Sequence, residues 1–260
     1  ENLLATSLNE TPEPGRVALV GAGPGDPGLL TRRAETLLNE ADVIIHDRLV
    51  SAEILELARR EAIIIDAGKT GFGPSWRQSE INAEMVRHAE AGHQVVRLKG
   101  GDPVVFGRLD EELDALRAAG IPSEVVPGIT AASAAAASSG LSLTRRGRNS
   151  ALTLLTGHDI DGFAEQDWQR LAAPGQGAAI YMGKRAATFL CGRLLMHGAA
   201  SDTPVTLVEN ASRPDEHITD ATLVSLPSAI ATAHGPVVIL FGMARDHNKI
   251  QLSEMMEGLM

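Results

Sequence analysis

Val17-Ala-Leu-Val-Gly-Ala-Gly-Pro-Gly25 decides how the rest of this 260-residue chain is read. Four apolar residues run without alternation and stop at a Gly-rich turn, the pattern of a buried strand and its carboxyl end. After the turn the period changes. From Leu30, Ala34, Leu37, Leu38 and Ala41 fall on one helical face, with Thr31 placed to cap it, and Asp42 to His46 is the next strand. Strand, glycine turn, helix, strand is the unit of an α/β sheet. The alternation continues through helix Ser51 to Arg60, strand Ala62 to Ala67, helix Ser79 to Ala91 closed by Gly92, and strand Gln94 to Leu98. Helix Asp110 to Ala119, ending at Gly120, and strand Glu124 to Val126 follow.

Thr130 to Gly140 is almost all Ala and Ser, small side chains that permit close approach of backbone or ligand. A basic, Gly-containing segment, Leu141 to Ser150, then interrupts the pattern. It resumes with strand Ala151 to Thr156, a helix near Trp168, strand Ala178 to Met182 and helix Ala186 to His197. Strands Pro204 to Glu209 and Pro236 to Gly242 precede a C-terminal helical stretch. The expectation is a two-domain α/β protein, each lobe a mixed, mostly parallel sheet flanked by helices. A polar tail occupies 1–15, the N-terminal domain 16–142 and the C-terminal domain 143–260.

Composition narrows the class. Hydrophobic residues at 44% and charged residues at 22% fit a globular chain rather than a disordered one. Apolar runs such as Val237 to Phe241 fall far short of the roughly 18 residues of a membrane span, so no membrane association is expected. The single cysteine, Cys191, cannot form an internal disulfide, and Glu1 to Gly15 reads as a polar tail rather than a signal peptide. A reducing, cytoplasmic setting is the expectation. A net charge of −10 argues against nonspecific nucleic-acid binding. No histidine pair sits at i,i+4 and there is no cysteine partner, so no metal site is expected. The Gly-x-Ser-x-Gly elbow of nucleophilic hydrolases is also missing.

Four constellations carry chemistry. Gly21-Ala-Gly23-Pro-Gly25 brings backbone N–H groups close to a ligand, or is a tight turn. The dinucleotide fingerprint needs a third glycine where Asp26 stands, although Asp47 could still mimic its ribose-binding acid. Lys99-Gly-Gly-Asp-Pro-Val-Val-Phe-Gly-Arg108 follows a strand at the edge where open α/β sheets bind ligands. There Asp102 either accepts from a ribose hydroxyl or an ammonium, or caps a turn. Asp47-Arg48 and Lys69 place charges at the same sheet edge. Thr144-Arg-Arg-Gly-Arg148 is the densest positive charge, either a solvated loop or a set of guanidinium forks for a polyanionic ligand. His158 reads as a structural histidine at a strand end.

Together, Val20-Gly-Ala-Gly-Pro-Gly-Asp-Pro27, His46-Asp-Arg-Leu-Val50, Lys99 to Arg108, Val126-Pro-Gly-Ile-Thr-Ala131, Thr156-Gly-His158 and Tyr181-Met-Gly183 resemble the tetrapyrrole methyltransferase family. The match runs from about Arg16 to Arg245, and within the family it favours members that act on uroporphyrinogen III. The resemblance implies S-adenosyl-L-methionine-dependent methylation of C2 and C7 to give precorrin-2, with S-adenosyl-L-homocysteine as by-product, in cobalamin- or sirohaem-type biosynthesis. It also implies an active site in an interdomain cleft and a homodimer. Cofactor contacts carry over to Pro24, Gly100, Gly101, Asp102, Val105, Thr130, Ala131, Met182 and Ala211. The family's proton acceptor falls on Asp47 and its donor on Lys69. Substrate carboxylates fall to Arg108 and Arg146, with Glu111 facing the pyrrole nitrogens. Alternatives are a later precorrin as substrate, a cofactor-binding paralogue without turnover, and a nicotinamide oxidoreductase.

Several positions depart from the family pattern. Phe106-Gly-Arg-Leu-Asp-Glu-Glu112 replaces the usual Phe-Gly-Arg-Gly-Gly-Glu-Glu, which alters the helix start beside Arg108. Thr144-Arg-Arg146 replaces Thr-His-Arg, adding charge where an imidazole is usual. Thr70 to Arg77 lacks the common Gly-x-His pattern, and Ala211 stands where glycine is usual.

Overall fold

The computed structural model describes residues 15–68, 76–149, 151–159 and 162–245. Lys69, nearly all of the expected N-terminal tail and the C-terminal stretch beyond Arg245 lie outside these residues. The chain forms two compact units, Glu1–Thr130 and Ala131–Met260.

The first unit contains β1 (Arg16–Gly21), α1 (Arg32–Glu40), β2 (Val43–His46), α2 (Ala52–Leu55) and β3 (Ile63–Asp66). It continues with α3 (Gln78–Glu90), β4 (Gln94–Lys99), α4 (Leu109–Ala118) and β5 (Ser123–Val126). The sheet order is β3-β2-β4-β1-β5, and every pairing is parallel. Alternate residues serve opposite faces. Ala18, Val20, Ile44, Val96 and Leu98 pack with Ala34, Leu37, Leu38 and Ile54 of α1 and α2. Val17, Leu19, Val43, Ile45 and Val95 pack with Ile81, Met85 and Leu116 of α3 and α4. Burial on both faces is why β1 and β2 read as nearly unbroken apolar runs. Thr31 caps α1, its hydroxyl accepting from Ala34 N–H at 3.2 Å.

Helix α2 is shorter than the Ser51 to Arg60 span expected. After Leu55 the backbone tightens into three-residue turns, with Leu57 N–H donating to Ile54 C=O and Ala58 N–H to Leu55 C=O. Ser51 makes no side-chain cap, because its hydroxyl donates to Gly25 C=O at 2.8 Å. Arg59 turns back to pair with Asp42.

The second unit contains α5 (Ala131–Ser138), β6 (Thr153–Thr156), β7 (His158–Asp159), β8 (Gly162–Phe163), α6 (Trp168–Ala172) and β9 (Ala178–Tyr181). Then come α7 (Ala187–Met196), β10 (Pro204–Glu209), β11 (His217–Thr222), α8 (Leu226–Ile230) and β12 (Val237–Phe241). Its main sheet runs β11-β10-β12-β9-β6. The expectation of a mostly parallel sheet fails here: only β6–β9 is parallel, whereas β9–β12, β12–β10 and β10–β11 are antiparallel. Residues 210–216 form a short return into β11, too short for the crossover that parallel neighbours require. Strand β11, helix α8 and the small β7–β8 hairpin are additions to the sequence-derived plan.

Helix α5 packs on β12 and buries Ala132, Ala134, Ala135 and Ala136, small side chains that permit close approach. The division between units therefore falls before α5, earlier than the 142/143 boundary expected from the basic segment. Among the described residues no helix is long and apolar enough to cross a membrane.

Candidate functional site

Because the first sheet is wholly parallel, the carboxyl ends of its strands, and the motifs that follow them, gather at one edge. The loops after β1, β4 and β5 interlock there. Ala22 N–H donates to Lys99 C=O at 2.8 Å, and Gly23 and Gly101 exchange N–H···O bonds of 3.0 and 2.7 Å. A Cβ on Gly128 would lie 2.2 Å from Gly101 O, and one on Gly21 would lie 2.5 Å from Gly128 N. These contacts are backbone on backbone, so only glycine fits.

Asp47 ties the end of β2 into the same assembly. Its Oδ1 accepts from Leu49 N–H at 2.8 Å and its Oδ2 from Gly100 N–H at 3.0 Å. Gly100 has no room for a side chain, since a Cβ would stand 2.7 Å from Leu49 Cβ. Asp102 does cap a turn, Oδ1 accepting from Val104 N–H at 3.1 Å. Its Oδ2 carries no hydrogen bond among the described residues, so the capping role leaves an oxygen for a ligand. Pro24, Gly100, Gly101, Asp102, Val105 and Thr130 are all half-buried at this edge.

Beneath the β4 loop lies a charge network that the sequence reading missed. Glu112 on α4, fully buried, accepts from Arg97 Nε at 3.0 Å and Lys99 Nζ at 2.7 Å. Gln78 Nε2 adds a third bond at 3.2 Å, and Arg97 also donates to Ile45 C=O at 3.2 Å. Burial pushes the Lys99 ammonium below the ordinary lysine range, an effect opposed by Glu112 and Asp47. A signal was present: Arg97 and Lys99 alternate with apolar residues in a strand, and Glu112 lies beside Leu113 and Leu116 on α4.

Arg108 takes the left-handed conformation at φ +53 just before α4. The helix starts directly at Leu109, with Asp110, Glu111 and Glu112 in its first turn, where carboxylates complement the helix dipole. Arg108 and Glu111, both more than half exposed, form a two-pronged ion pair with 2.7 Å contacts. The hydrogen bond to Arg108, then its charge, holds the Glu111 carboxyl below the usual carboxylate range. Arg108 and Glu111 therefore satisfy each other here.

In the second unit, Arg146 is exposed in a loop pinned by its neighbours. Asn149 Nδ2 donates to the carbonyls of Leu143 and Ala151 at 2.9 and 2.8 Å, and Arg148 Nε to Asn149 Oδ1 at 2.8 Å. Of the clustered arginines, Arg148 is thus committed to building the loop while Arg145 and Arg146 face solvent.

Strands β9 and β10 both oppose β12, and β6 runs with β9, so the carboxyl ends of β6, β9 and β10 also share one edge. Gly157 N–H donates to Tyr181 C=O at 2.7 Å, and a Cβ on Gly157 would meet Met182 O at 2.8 Å. Met182 has φ +52 and a 52% exposed side chain. Ala211 is buried between Asn210 and Ser212, both at positive φ. Ala131 lies at the start of α5, where Ala132 N–H donates to the Tyr181 hydroxyl at 3.3 Å. The structure thus gathers Asp47 and the first-unit cofactor candidates at one edge, and Ala131, Met182 and Ala211 in the second unit. His158 packs against Phe163, ring centroids 5.1 Å apart and tilted by 53°. Among the described residues no group of His, Cys, Asp or Glu could hold a metal ion.

The family model for Tetrapyrrole (Corrin/Porphyrin) Methylases matches residues 16–227. The chain belongs to this family. It is 48% identical over 241 residues to the siroheme synthase of Methylococcus capsulatus, covering 92% of this chain and 51% of that relative. The chain thus spans about half the length of the curated relatives it matches. Among solved structures, it is similar to uroporphyrin-III C-methyl transferase from Thermus thermophilus complexed with S-adenyl homocysteine. That match has 39% identity and a TM-score of 0.76, covering 88% of this chain and 97% of the other. Similarity extends to a cobalt precorrin-4 methyltransferase at 28% identity and a TM-score of 0.78, covering 87% and 94% of the two chains. This two-domain tetrapyrrole methylase fold is the one the sequence motifs implied.

Proposed function

We propose that the chain is an S-adenosylmethionine-dependent C-methyltransferase that methylates uroporphyrinogen III at C2 and C7 to give precorrin-2. One observation carries the choice of substrate. Two solved relatives with different substrates match the backbone equally well, with TM-scores of 0.76 and 0.78, but the sequence is 39% identical to the uroporphyrin enzyme and 28% to the precorrin-4 enzyme. The backbone is common to both, so side chains and loops set the substrate.

The residues present fit the cofactor. Three interlocked glycine loops form a cradle at a strand edge that a Cβ would fill, Asp102 Oδ2 is open to a hydroxyl or ammonium, and Pro24, Val105 and Thr130 supply partly buried walls. When bound, S-adenosylmethionine supplies an electrophilic methyl group. Gly100, Gly101 and Asp102 would orient it, with Ala131, Met182 and Ala211 as second-unit contacts. Asp47, held by two backbone N–H groups, is the acceptor for the proton lost from the methylated ring, and Lys69 is the donor. Arg108 and Arg146 take substrate carboxylates and Glu111 faces the pyrrole nitrogens. The remaining parts of this reading are a homodimer acting in the cytoplasm.

The test is anaerobic incubation with freshly generated uroporphyrinogen III and labelled S-adenosylmethionine, followed by mass analysis. Two added methyl groups are expected. Binding of S-adenosylhomocysteine with no transfer to uroporphyrinogen III, but transfer to a later precorrin, would replace the substrate. Stabilisation by NAD and not by S-adenosylhomocysteine would overturn the enzyme class.

A further inference from the structure

Lys99 sits where two loops of the proposed site meet. Its carbonyl receives Ala22 N–H of the β1 loop at 2.8 Å, and its backbone leads directly into Gly100-Gly101-Asp102. Its side chain runs the other way, under the loop 103–107: a Cβ on Gly107 would stand 3.2 Å from Lys99 Cε and 2.3 Å from Pro103 O. At its tip, Nζ reaches Glu112 Oε2 at 2.7 Å, in the first turn of α4 immediately after Glu111 and Arg108. The other Glu112 oxygen receives Arg97, which in turn donates to Ile45 C=O on β2, the strand that delivers Asp47.

From this connectivity we infer that the buried Lys99–Glu112 pair is a positioning device that couples the cofactor loop to the substrate-facing start of α4. The proposal rests on the methyltransferase reading, which places cofactor on one end of the device and tetrapyrrole carboxylates on the other. Neither residue touches substrate. Both are buried, at 5% and 0% exposure, so the pair acts through the loop 100–108 that it underpins.

The pair is not needed simply as stabilising charge. A buried ion pair is often no more stabilising than apolar groups of similar volume, and Arg97 alone can neutralise Glu112. The acidic and basic groups around Lys99 are Glu112 and, paired with Arg108, Glu111 from α4, Arg97 from its own strand and Asp47 from the end of β2. Beside the Arg108–Glu111 pair, this cluster carries two cations and two carboxylates. Removing the lysine charge leaves Arg97 with two carboxylates, and the link from β4 to α4 then runs only through Arg97.

The experiment uses the full chain with Lys99→Met, which keeps an apolar stem under Gly107, and Lys99→Arg as the conservative partner. Thermal unfolding, S-adenosylhomocysteine binding by calorimetry and amide exchange at Gly100 and Gly101 are read alongside steady-state kinetics. Lys99→Met is expected to unfold near the wild-type temperature and to bind S-adenosylhomocysteine several-fold more weakly. Loss of Gly100 protection and a fall in kcat/KM on the order of 10²-fold should accompany it, the scale set by a displacement of about 1 Å. Lys99→Arg should restore part of each. Wild-type affinity and exchange in Lys99→Met would overturn the inference, as would a lowered unfolding temperature with unchanged binding and exchange. Should Lys99→Met fail to fold, Lys99→Gln, which loses the charge, keeps a donor toward Glu112 and leaves Arg97 to neutralise it, is read the same way. If wild-type protein binds no S-adenosylhomocysteine, the methyltransferase reading fails instead.

Discussion

Asp47 at the end of β2 and Glu209 at the end of β10 look like the same device in two differently built sheets. Each carboxylate lies at a strand's carboxyl end and receives two backbone N–H groups. Glu209 takes both, from His234 and Gly235, on the single oxygen Oε1. Asp47 divides them, Leu49 on Oδ1 and Gly100 on Oδ2. The first arrangement survives replacement by an amide, because one carbonyl oxygen can keep both donors. The second does not, because an amide NH₂ must then face an N–H. The difference teaches that Asp47 has both oxygens engaged, at the loop that carries the proposed cofactor residues.

The largest expected effect separates these two residues. Asp47→Asn should lower turnover by roughly 10²–10⁴-fold, the usual contribution of a general base, while Glu209→Gln leaves kcat within about tenfold and costs on the order of 1 kcal/mol of stability. Equal losses of turnover in the two variants would erase the comparison. Glu209 also gives a pH signature. Burial pushes its carboxyl up, but the Gly235 and His234 N–H groups outweigh this and hold it below the ordinary value. Its contribution is therefore present above the unfolded carboxyl pKa and is lost as pH falls through the lower folded value. Urea titrations of wild type and Glu209→Gln should converge at acid pH.

Charge pairs sharpen the contrast between the units. Glu112→Ala leaves Arg97 and Lys99 buried without their partner, and about 3–5 kcal/mol should be lost. In the second unit, Asp220 receives Arg245 through contacts of 2.6 to 3.0 Å at a partly exposed site, so Asp220→Ala should cost about 1 kcal/mol or less. Denaturant midpoints measure both. Glycines supply the next test. Gly128→Ala drives a methyl group into the Gly101 carbonyl at 2.2 Å, whereas Gly183→Ala meets the end of the Ile239 side chain at 2.5 Å. Overpacking costs roughly 1–3 kcal/mol. Gly128→Ala belongs at the top of that range and should also abolish S-adenosylhomocysteine binding. Gly183→Ala belongs at the bottom, since a side-chain tip can move.

The smallest effect expected is from His88, buried on α3. Burial first, then the charge of Arg87, lowers its pKa from the ordinary 6.5, so the unfolded chain binds a proton more readily than the folded one. Its stabilising contribution is complete above about 6.5 and is lost as pH falls toward the lower folded value. Unfolding temperatures between pH 7 and 5 should show this slope in wild type, and His88→Gln should flatten it.

Much of the site was legible from local sequence. The glycines after β1, β4 and β5, the acid after β2 and the strand-helix alternation are short-range signals, and the structure puts the corresponding loops together. Arg108 and Glu111 were also legible as charged groups beside that loop. That they bind each other was not, because an i,i+3 pair forms only once Arg108 adopts its left-handed turn ahead of α4. The Lys99–Glu112 link was harder still. Charged residues at those positions could equally have faced solvent.

By itself, the sequence determined most of the strand–helix alternation of the first unit and much of the second, and that two α/β units follow one another, since these depend on periodicity and on residues within a turn or two. Only the tertiary structure decided the mostly antiparallel second sheet, the assignment of α5 to that unit, and the burial of Arg97, Lys99 and Glu112. Strand direction is fixed by which distant partner supplies the hydrogen bonds, and the burial of a charge by which distant partner neutralises it. Neither is encoded in the spacing of a single segment.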